Sequence, residues 1–121
     1  MKFRLIATLA CVAMLAACAF ENKYESEADK ITKAVIANDI TPIKGDLSPQ
    51  LLSTITRVQI AAAGDELGAQ GALKSVKEVT PCPKGPQYHC LDVTFEKHVY
   101  DEWLSMDDTG KVTFWHYHMK P

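Results

Sequence analysis

The sequence lacks the features that mark several large classes of protein. Of its 121 residues, 13 are basic and 15 are acidic, so no surplus of positive charge remains to neutralise the phosphates of a nucleic acid. It has no apolar run of the roughly 20 residues that a helix needs to span a bilayer. Internal repeats and low-complexity tracts are also missing. The chain therefore has room for one small domain, which we expect to bind no nucleic acid.

The N-terminus combines a short positive region with an apolar segment. Lys2 and Arg4 come first, and residues 5–17 then carry no charge and only one polar side chain, Thr8. A positive start followed by an apolar core of this length is typical of a secretory signal. We therefore assign residues 1–17 to a signal peptide.

The apolar segment ends in Leu15-Ala16-Ala17-Cys18, which resembles the lipobox of bacterial lipoproteins at all four positions. The resemblance implies a diacylglyceryl group on the Cys18 sulfur, cleavage before Cys18, and a fatty acid such as palmitate on the new amino group. A cysteine thiolate is the soft nucleophile that this chemistry needs. Three alternatives are lipidation of Cys11, which has only about half of the apolar core before it, an ordinary cleaved signal, and an uncleaved anchor.

The lipobox resemblance also implies a location in the cell envelope. Two or more acyl chains are enough to hold a protein stably on a bilayer. Ala19 stands where an Asp would, by the sorting rule of enteric bacteria, retain the protein in the inner membrane, so we favour the outer membrane, facing the periplasm.

Residues 18–27 are assigned to the lipidated cysteine and a polar tether. Loss of Lys2 and Arg4 changes the net charge from −2 to −4.

Cys82 and Cys90 are the cysteines left for the domain. In an oxidising compartment a pair of this kind is expected to form a disulfide. The two cysteines flank the turn-rich residues 83–87, so the bond would close a hairpin loop. A metal pair and a redox pair are the alternatives, but the spacing is not that of a Cys-x-x-Cys motif.

Two helices are predicted at the start of the domain, which we assign to residues 28–121. Apolar residues at helical spacing from Tyr24 to Val35 predict the first helix, which ends near Asn38. Ser48-Pro49 predicts the start of the second, because Ser is a preferred N-cap and Pro a preferred first residue. The residues predicted for its buried stripe and C-cap are Leu51, Leu52, Ile55, Val58, Ala62 and Gly64. A turn or brief helix is expected over residues 65–71.

Four strands are predicted in the second half of the chain, where β-branched and aromatic residues alternate. Their predicted bounds are Leu73–Val79, Tyr88–Val99, Tyr100–Met106 and Lys111–Met119, with a tight turn at Asp107–Gly110. The side chains predicted to face inward are Leu91, Val93, Phe95, Leu104 and Met106, while Val112 and Phe114 are placed on one face of the last strand and Trp115 and Tyr117 on the other. Helices before an antiparallel meander predict an α+β fold with helices on one sheet face.

Several short stretches resemble the nuclear transport factor 2-like (cystatin-like) superfamily, in particular its small secreted members. They are Ala37-Asn38-Asp39, Leu67-Gly68, Ser75–Val79 and Asp107–Val112, within residues 24–121. The resemblance implies a curved sheet wrapped around helices into a cone, whose mouth holds a ligand or an enzyme site. Enzymes of the superfamily place Asp, Tyr or His inside the cone, but no residue here can be matched to those positions.

Few residues form a pattern that indicates metal binding or catalysis. His116 and His118 share one face of a predicted strand, as metal-binding pairs do, and a third ligand would have to come from His89, His98 or an acidic residue. The favoured interpretation is a pair of solvent-facing histidines, and an aromatic surface that binds a partner is a further alternative.

Asp101-Glu102 and Asp107-Asp108 bracket the third strand and are candidate paired carboxylates for acid–base chemistry. A turn accounts for Asp107-Asp108, and no second carboxylate with a reason to be buried can be named. The sequence assigns no metal, cofactor or catalytic residue.

The glycines and serines give no catalytic motif either. Gly64, Gly68 and Gly71 are irregularly spaced and lack the Lys-Ser/Thr that follows a phosphate-binding loop, and no Gly-x-Ser-x-Gly motif occurs.

Three functions are compatible with these features. The first, which we favour because no catalytic set can be matched, is a non-enzymatic module that binds a small ligand or an envelope protein. The second is an immunity or inhibitor lipoprotein against a toxin or hydrolase that acts in the envelope. The third is a small cone-fold enzyme that uses a residue such as His116 or Tyr117, and burial of either ring beside a carboxylate would support it.

Overall fold

A computed structural model of the protein describes residues 22–121. The predicted signal peptide, Cys11 and Cys18 lie outside the described residues. Among residues 22–121, no helix is long and apolar enough to cross a membrane. The helical elements are α1 (Lys23–Ile36), a 3-10 helix (Thr41–Asp46), α2 (Pro49–Thr54) and α3 (Arg57–Gly68). The strands are β1 (Leu73–Val79), β2 (His89–Phe95), β3 (Val99–Met106) and β4 (Val112–Met119).

In the described part of the chain, the four strands form one antiparallel sheet in sequence order, β1-β2-β3-β4. The helices precede the sheet in the chain, and α1 contacts β1, β2 and β3 while α2 contacts β4. This arrangement confirms the predicted α+β fold with a four-stranded meander. We call the sheet face that packs against α1 the inner face.

Helix α1 is amphipathic and forms the centre of the core. Asn22 caps its start by accepting a hydrogen bond from the backbone N–H of Glu25, and its buried stripe includes Ala28, Ile31 and Val35. The helix is followed by Asn38, whose φ of +54° lies in the left-handed region that asparagine tolerates. Residues 23–27, which the sequence assigned to the tether, lie in α1.

The single helix predicted from Pro49 to Gly64 is wrong, because two helices meet in this segment. Ile55 is extended, and Thr56 then caps α3 with a capping box in which Thr56 and Gln59 each bond the other's backbone N–H. The break turns Val58 outward, and its side chain is 79% exposed instead of buried. Helix α3 also continues to Gly68, into the segment expected to be a turn or brief helix.

Gly64 is not a C-cap, because it lies within α3 where that helix crosses α1. A Cβ added at this position would lie within 3.0 Å of the Val35 carbonyl oxygen, a separation that real Cβ atoms essentially never show. Glycine here lets the two helix backbones approach closely. Its role is therefore packing between helices.

The inner face carries the side chains that alternation predicted on β2 and β3. Leu91, Val93, Phe95 and Leu104 are buried there, and Met106 packs against them. The second strand ends at Phe95 and not at Val99, because residues 96–98 form the turn into β3.

On β4, Trp115 and Tyr117 share one face as predicted. The prediction that Val112 and Phe114 share the other face is wrong. The register shifts by one residue between Ser105 and Met106, so that Phe114 pairs with Ser105 and Val112 with Met106. The extra residue in β4 is a bulge, which reverses the alternation at that point. Val112 is consequently buried on the inner face with Trp115 and Tyr117, and Phe114 lies on the outer face.

The turn between β3 and β4 is the tight turn that the sequence predicted. The Asp107 carboxylate accepts hydrogen bonds from the backbone N–H groups of Thr109 and Lys111 at 2.9 and 3.0 Å. Gly110 has a φ of +84°, a conformation that favours glycine. The pair Asp107-Asp108 is thus accounted for by the turn.

We expect Gly64→Ala to destabilise the domain, because the new methyl group would force α1 and α3 apart. The expected loss in free energy of unfolding is about 1–3 kcal/mol, as for other overpacked interiors. Gly68→Ala is the matched control, since nothing lies within 4 Å of a Cβ there. Its stability should be unchanged or higher by up to about 1 kcal/mol in urea titrations. Equal effects of the two changes would contradict this account of Gly64.

Candidate functional site

Cys82 and Cys90 form the disulfide that the sequence predicted. Their Cα atoms are 5.1 Å apart, and the bond ties the loop after β1 to the second residue of β2. Cys90 is buried, so the bridge is part of the packed structure and not a surface thiol pair. Cys18, the predicted lipidation site, precedes the described residues.

A buried carboxyl group, that of Glu102, lies between α1 and the sheet. Glu102 is on the inner face of β3 between Tyr100 and Leu104, and none of its surface is exposed. The Thr32 hydroxyl of α1 donates to Glu102 Oε1 at 3.4 Å, and lies 2.8 Å from the hydroxyl of Tyr117 on β4. The side chains of Thr32, Glu102 and Tyr117 form a polar cluster inside the core, which we call the Glu102 cluster.

Burial controls the protonation of this cluster. It raises the pKa of Glu102 well above the usual range, and the hydrogen bond from Thr32 offsets only part of that effect. Burial, followed by the nearby Glu102 carboxyl, raises the pKa of Tyr117 in the same way. Glu102 Oε2 is buried and has no hydrogen-bond partner. A charge there would be costly, so burial favours the neutral form of Glu102.

A second pair of carboxyl groups extends the cluster toward the surface. Burial, together with a hydrogen bond to Asp46, raises the pKa of Glu27 to about 7. Asp46 accepts a hydrogen bond from Lys30 at 2.7 Å, and that ammonium group lowers the pKa of Asp46. Glu27 also adds to the raised pKa of Glu102. An electrostatic link therefore runs from Glu102 in the core through Glu27 and Asp46 to Lys30 at the surface.

This cluster was not predicted from the sequence, in which no second carboxylate with a reason to be buried could be named. The signal was present in the alternation of β3, because Glu102 shares its face with Leu104. Asp101 and Glu102 point to opposite faces, so they do not form a carboxylate pair. Asp101 instead accepts a hydrogen bond from the Trp103 indole at 2.7 Å.

Of the two side chains suggested for a cone enzyme, Tyr117 lies beside a carboxyl group, whereas His116 is exposed on the outer face.

A polar network joins the start of α1 to the end of β1. Glu25 is buried and accepts a hydrogen bond from the backbone N–H of Glu78 at 2.9 Å. The Glu78 carboxylate contacts Asn22 Nδ2 at 2.7 Å and His89 Nδ1 at 2.6 Å. The Tyr24 ring stacks on the His89 ring with 3.4 Å between their centroids. The burial of the Glu25 carboxylate is thus explained by hydrogen bonding within the fold, without a catalytic role.

His116 and His118 lie on the outer face of β4, on one side of the strand as predicted. Their ring centroids are 5.4 and 6.1 Å from that of Trp103. The structure brings neither suggested third ligand to them, because His89 lies at the network around Glu78 and His98 bonds Gln70 near the β2–β3 turn. Residues 22–121 contain no group of three or more His, Cys, Asp or Glu that could hold a metal ion.

An open groove of about 690 Å³ lies beyond the C-terminal end of α1. One wall is the segment after α1, and the other is formed by α2 and α3, which meet at the helix break. Its lining combines apolar side chains, including the exposed Val58, with the basic side chains of Lys44 and Arg57. It includes no member of the Glu102 cluster. The groove is an accessible concave surface of the kind that binds ligands.

The chain matches no protein-family model, no curated protein and no solved structure.

We predict that Glu102→Gln weakens the dependence of stability on pH. The raised pKa means that the folded chain keeps this proton after the unfolded chain has lost it, so wild-type stability falls as pH rises above about 4.5. The slope lost in the variant is at most about 1.4 kcal/mol per pH unit. Urea titrations between pH 5 and 8 measure it.

Asp108→Asn is the matched control for this experiment, because Asp108 is an exposed residue of the β3–β4 turn. The control should keep the wild-type slope. Glu102→Gln should keep only the slope that Glu27, with its pKa of about 7, contributes. Identical slopes for wild type and Glu102→Gln would show that Glu102 is ionised in the folded protein.

Proposed function

We propose that this protein is a lipid-anchored component of the bacterial cell envelope whose α+β domain binds a partner and is not an enzyme. Acyl chains on Cys18 hold it on the membrane, which we place as the outer membrane facing the periplasm. The lipobox-like residues 15–18 support the anchor. The disulfide between Cys82 and Cys90 fits an oxidising compartment, where such bonds persist.

The observation that carries the binding function is the groove beside Val58. Val58 is 79% exposed and lines this groove, and apolar side chains at a concave surface are typical of binding sites. The break between α2 and α3 produces this exposure, since it turns Val58 away from the core. The capping box of Thr56 and Gln59 specifies the break. The local sequence therefore also specifies the exposure of Val58.

The charges of the groove indicate the kind of partner. Lys44 and Arg57 line it, and within residues 22–121 Arg57 forms no salt bridge. The Asp39 carboxylate at the rim is occupied by hydrogen bonds to Thr41, which lower its pKa. The groove thus suits a segment of an envelope protein that presents an apolar side chain next to a carboxylate.

The second candidate function is a small enzyme, and the contact between Tyr117 and the Glu102 carboxyl is the observation that favours it. A neutral carboxyl next to a phenol can donate hydrogen bonds to a reacting oxygen. We rank it second because Thr32 and Glu102 have no exposed surface and lie outside the groove. The cone of the nuclear transport factor 2-like superfamily is the corresponding proposal for the fold, and the Glu102 cluster would lie at its interior.

For the anchor, we predict that Cys18→Ser abolishes incorporation of a labelled fatty acid and leaves an unprocessed precursor. The reason is that a hydroxyl cannot replace the thiolate as acyl acceptor. Cys11→Ser is the matched control and should be labelled and processed like the wild type. Metabolic labelling followed by mass measurement of the N-terminus gives the result, and undiminished labelling of Cys18→Ser would overturn the anchor.

For the groove, we predict that a photo-crosslinking residue at position 58 gives a discrete adduct with one envelope protein in the producing bacterium. Adding Arg57→Glu should reduce the adduct roughly fivefold, the effect of about 1 kcal/mol. Position 97 is the control, since Lys97 is exposed in the β2–β3 turn, away from the groove. Adducts of equal yield from positions 58 and 97 would contradict a binding site at the groove.

A further inference from the structure

The described chain begins at one particular end of the sheet. Asn22 donates a hydrogen bond to Glu78, the residue before the last one of β1, and Tyr24 stacks on His89, the first residue of β2. The disulfide loop, residues 80–88, connects these two strand ends. The N-terminal end of the domain and the disulfide loop therefore lie at the same end of the molecule.

The distance from this end to the proposed anchor is short. Cys18 precedes Asn22 by four residues, which reach at most about 14 Å when fully extended. If Cys18 carries lipid, the end of the sheet with the disulfide loop is held close to the bilayer surface. The anchor therefore restricts which surface of the domain can meet the membrane.

A cluster of aromatic rings with a lysine over them lies on the outer face of the sheet near this end. The Lys84 ammonium of the loop lies 4.5 Å from the centroid of Trp103 and 5.9 Å from that of Tyr88. The Tyr88 ring meets Phe114 edge-on, with 5.3 Å between centroids. We call these four residues, Lys84, Tyr88, Trp103 and Phe114, the aromatic patch. It lies on the outer face of the sheet, opposite α1.

The chemistry of the aromatic patch suits the interface between lipid and water. Tyr and Trp are enriched there because each has an apolar ring and one polar group. The indole N–H of Trp103 already has a partner in Asp101, so its ring can enter an apolar environment without an unpaired donor. Lys84 can extend its apolar stem along the rings and place its ammonium group at a lipid phosphate.

The patch is also held in place before any contact is made. The disulfide closes the loop, and Ser105 on β3 donates a hydrogen bond to the carbonyl of Gln87 at 2.9 Å. A surface that is already ordered loses little conformational freedom on binding.

We propose that the aromatic patch rests on the lipid bilayer that carries the anchor and fixes the orientation of the domain. This inference rests on the proposed lipidation of Cys18. Helix α1 runs for 14 residues, about 21 Å, from the end near the anchor to the end near the groove. Contact of the patch with lipid thus turns the groove away from the membrane, toward the periplasm.

The test uses the full-length lipidated protein in vesicles of phosphatidylethanolamine and phosphatidylglycerol, with and without bromine atoms on the acyl chains. Bromine quenches tryptophan fluorescence only at short range. The chain has two tryptophans, Trp103 in the patch and Trp115 on the inner face. In Trp115→Phe, brominated lipid should reduce the remaining fluorescence about twofold, because Trp103 would lie at the interface. In Trp103→Phe, the signal of Trp115 should change little.

Lys84→Glu gives a second readout that leaves the core unchanged, because Lys84 is exposed. In the otherwise unsubstituted protein it should weaken the quenching by brominated lipid, since a carboxylate would be repelled by lipid phosphates. Lys97→Glu, at the opposite end of the sheet, is the matched control and should leave the quenching unchanged. This comparison holds even if Trp115→Phe fails to fold.

The outcomes separate the docking surface from the anchor. Acyl-labelled protein that floats with the vesicles, but whose Trp103 is quenched no more than Trp115, would overturn the docking surface and leave the anchor standing. Protein without acyl label that does not float would overturn both. Quenching of Trp103 that Lys84→Glu reduces and Lys97→Glu does not would support the proposed orientation.

Discussion

The packing of α1 against the inner face of the sheet is the interaction on which the rest of the structure depends. The position of α1 is fixed at three levels along its length, at two by contacts with the sheet and at the third by contact with α3. Glu25 bonds the backbone of β1 at the start of the helix, Thr32 bonds Tyr117 and Glu102 in the middle, and Gly64 of α3 admits the Val35 carbonyl near its end. Hydrophobic burial between these levels supplies the main stabilisation, and the polar contacts fix the register of the helix on the sheet.

The middle of that interface contains a buried carboxyl group, that of Glu102, where most cores have an apolar side chain. An apolar residue at position 102 would fill the same space without the unpartnered Oε2 atom. Glu102 instead links the hydroxyls of Thr32 and Tyr117 to the Glu27–Asp46 pair and so to the surface. The raised pKa of Glu102 is therefore expected to make the stability of the core depend on pH.

Features set by neighbouring residues were predictable from the sequence, and features set by distant residues were not. The bounds of β1, the Asp107–Gly110 turn and the Cys82–Cys90 disulfide follow from local alternation, turn chemistry and spacing. The break before α3 was missed, although Thr56 and Gln59 carry a capping box, because the apolar spacing runs on through it. The bulge in β4 depends on pairing with β3, which no local pattern encodes. The inward position of Glu102 follows from its alternation with Leu104, but its complete burial depends on packing under α1.

The same helix that organises the core also sets the geometry of the proposed function. Its first turn is tied to the strand ends that flank the disulfide loop, and the groove opens beyond its last turn. Because α1 is pinned to the sheet along its length, these two ends are held at a fixed separation. A lipid at Cys18 would act on one end, so the groove at the other would be presented to partners at a defined height and angle. The polar contacts of α1 therefore hold the two ends of the domain in a fixed geometry, since bending the domain would expose Thr32 and Glu102 to water.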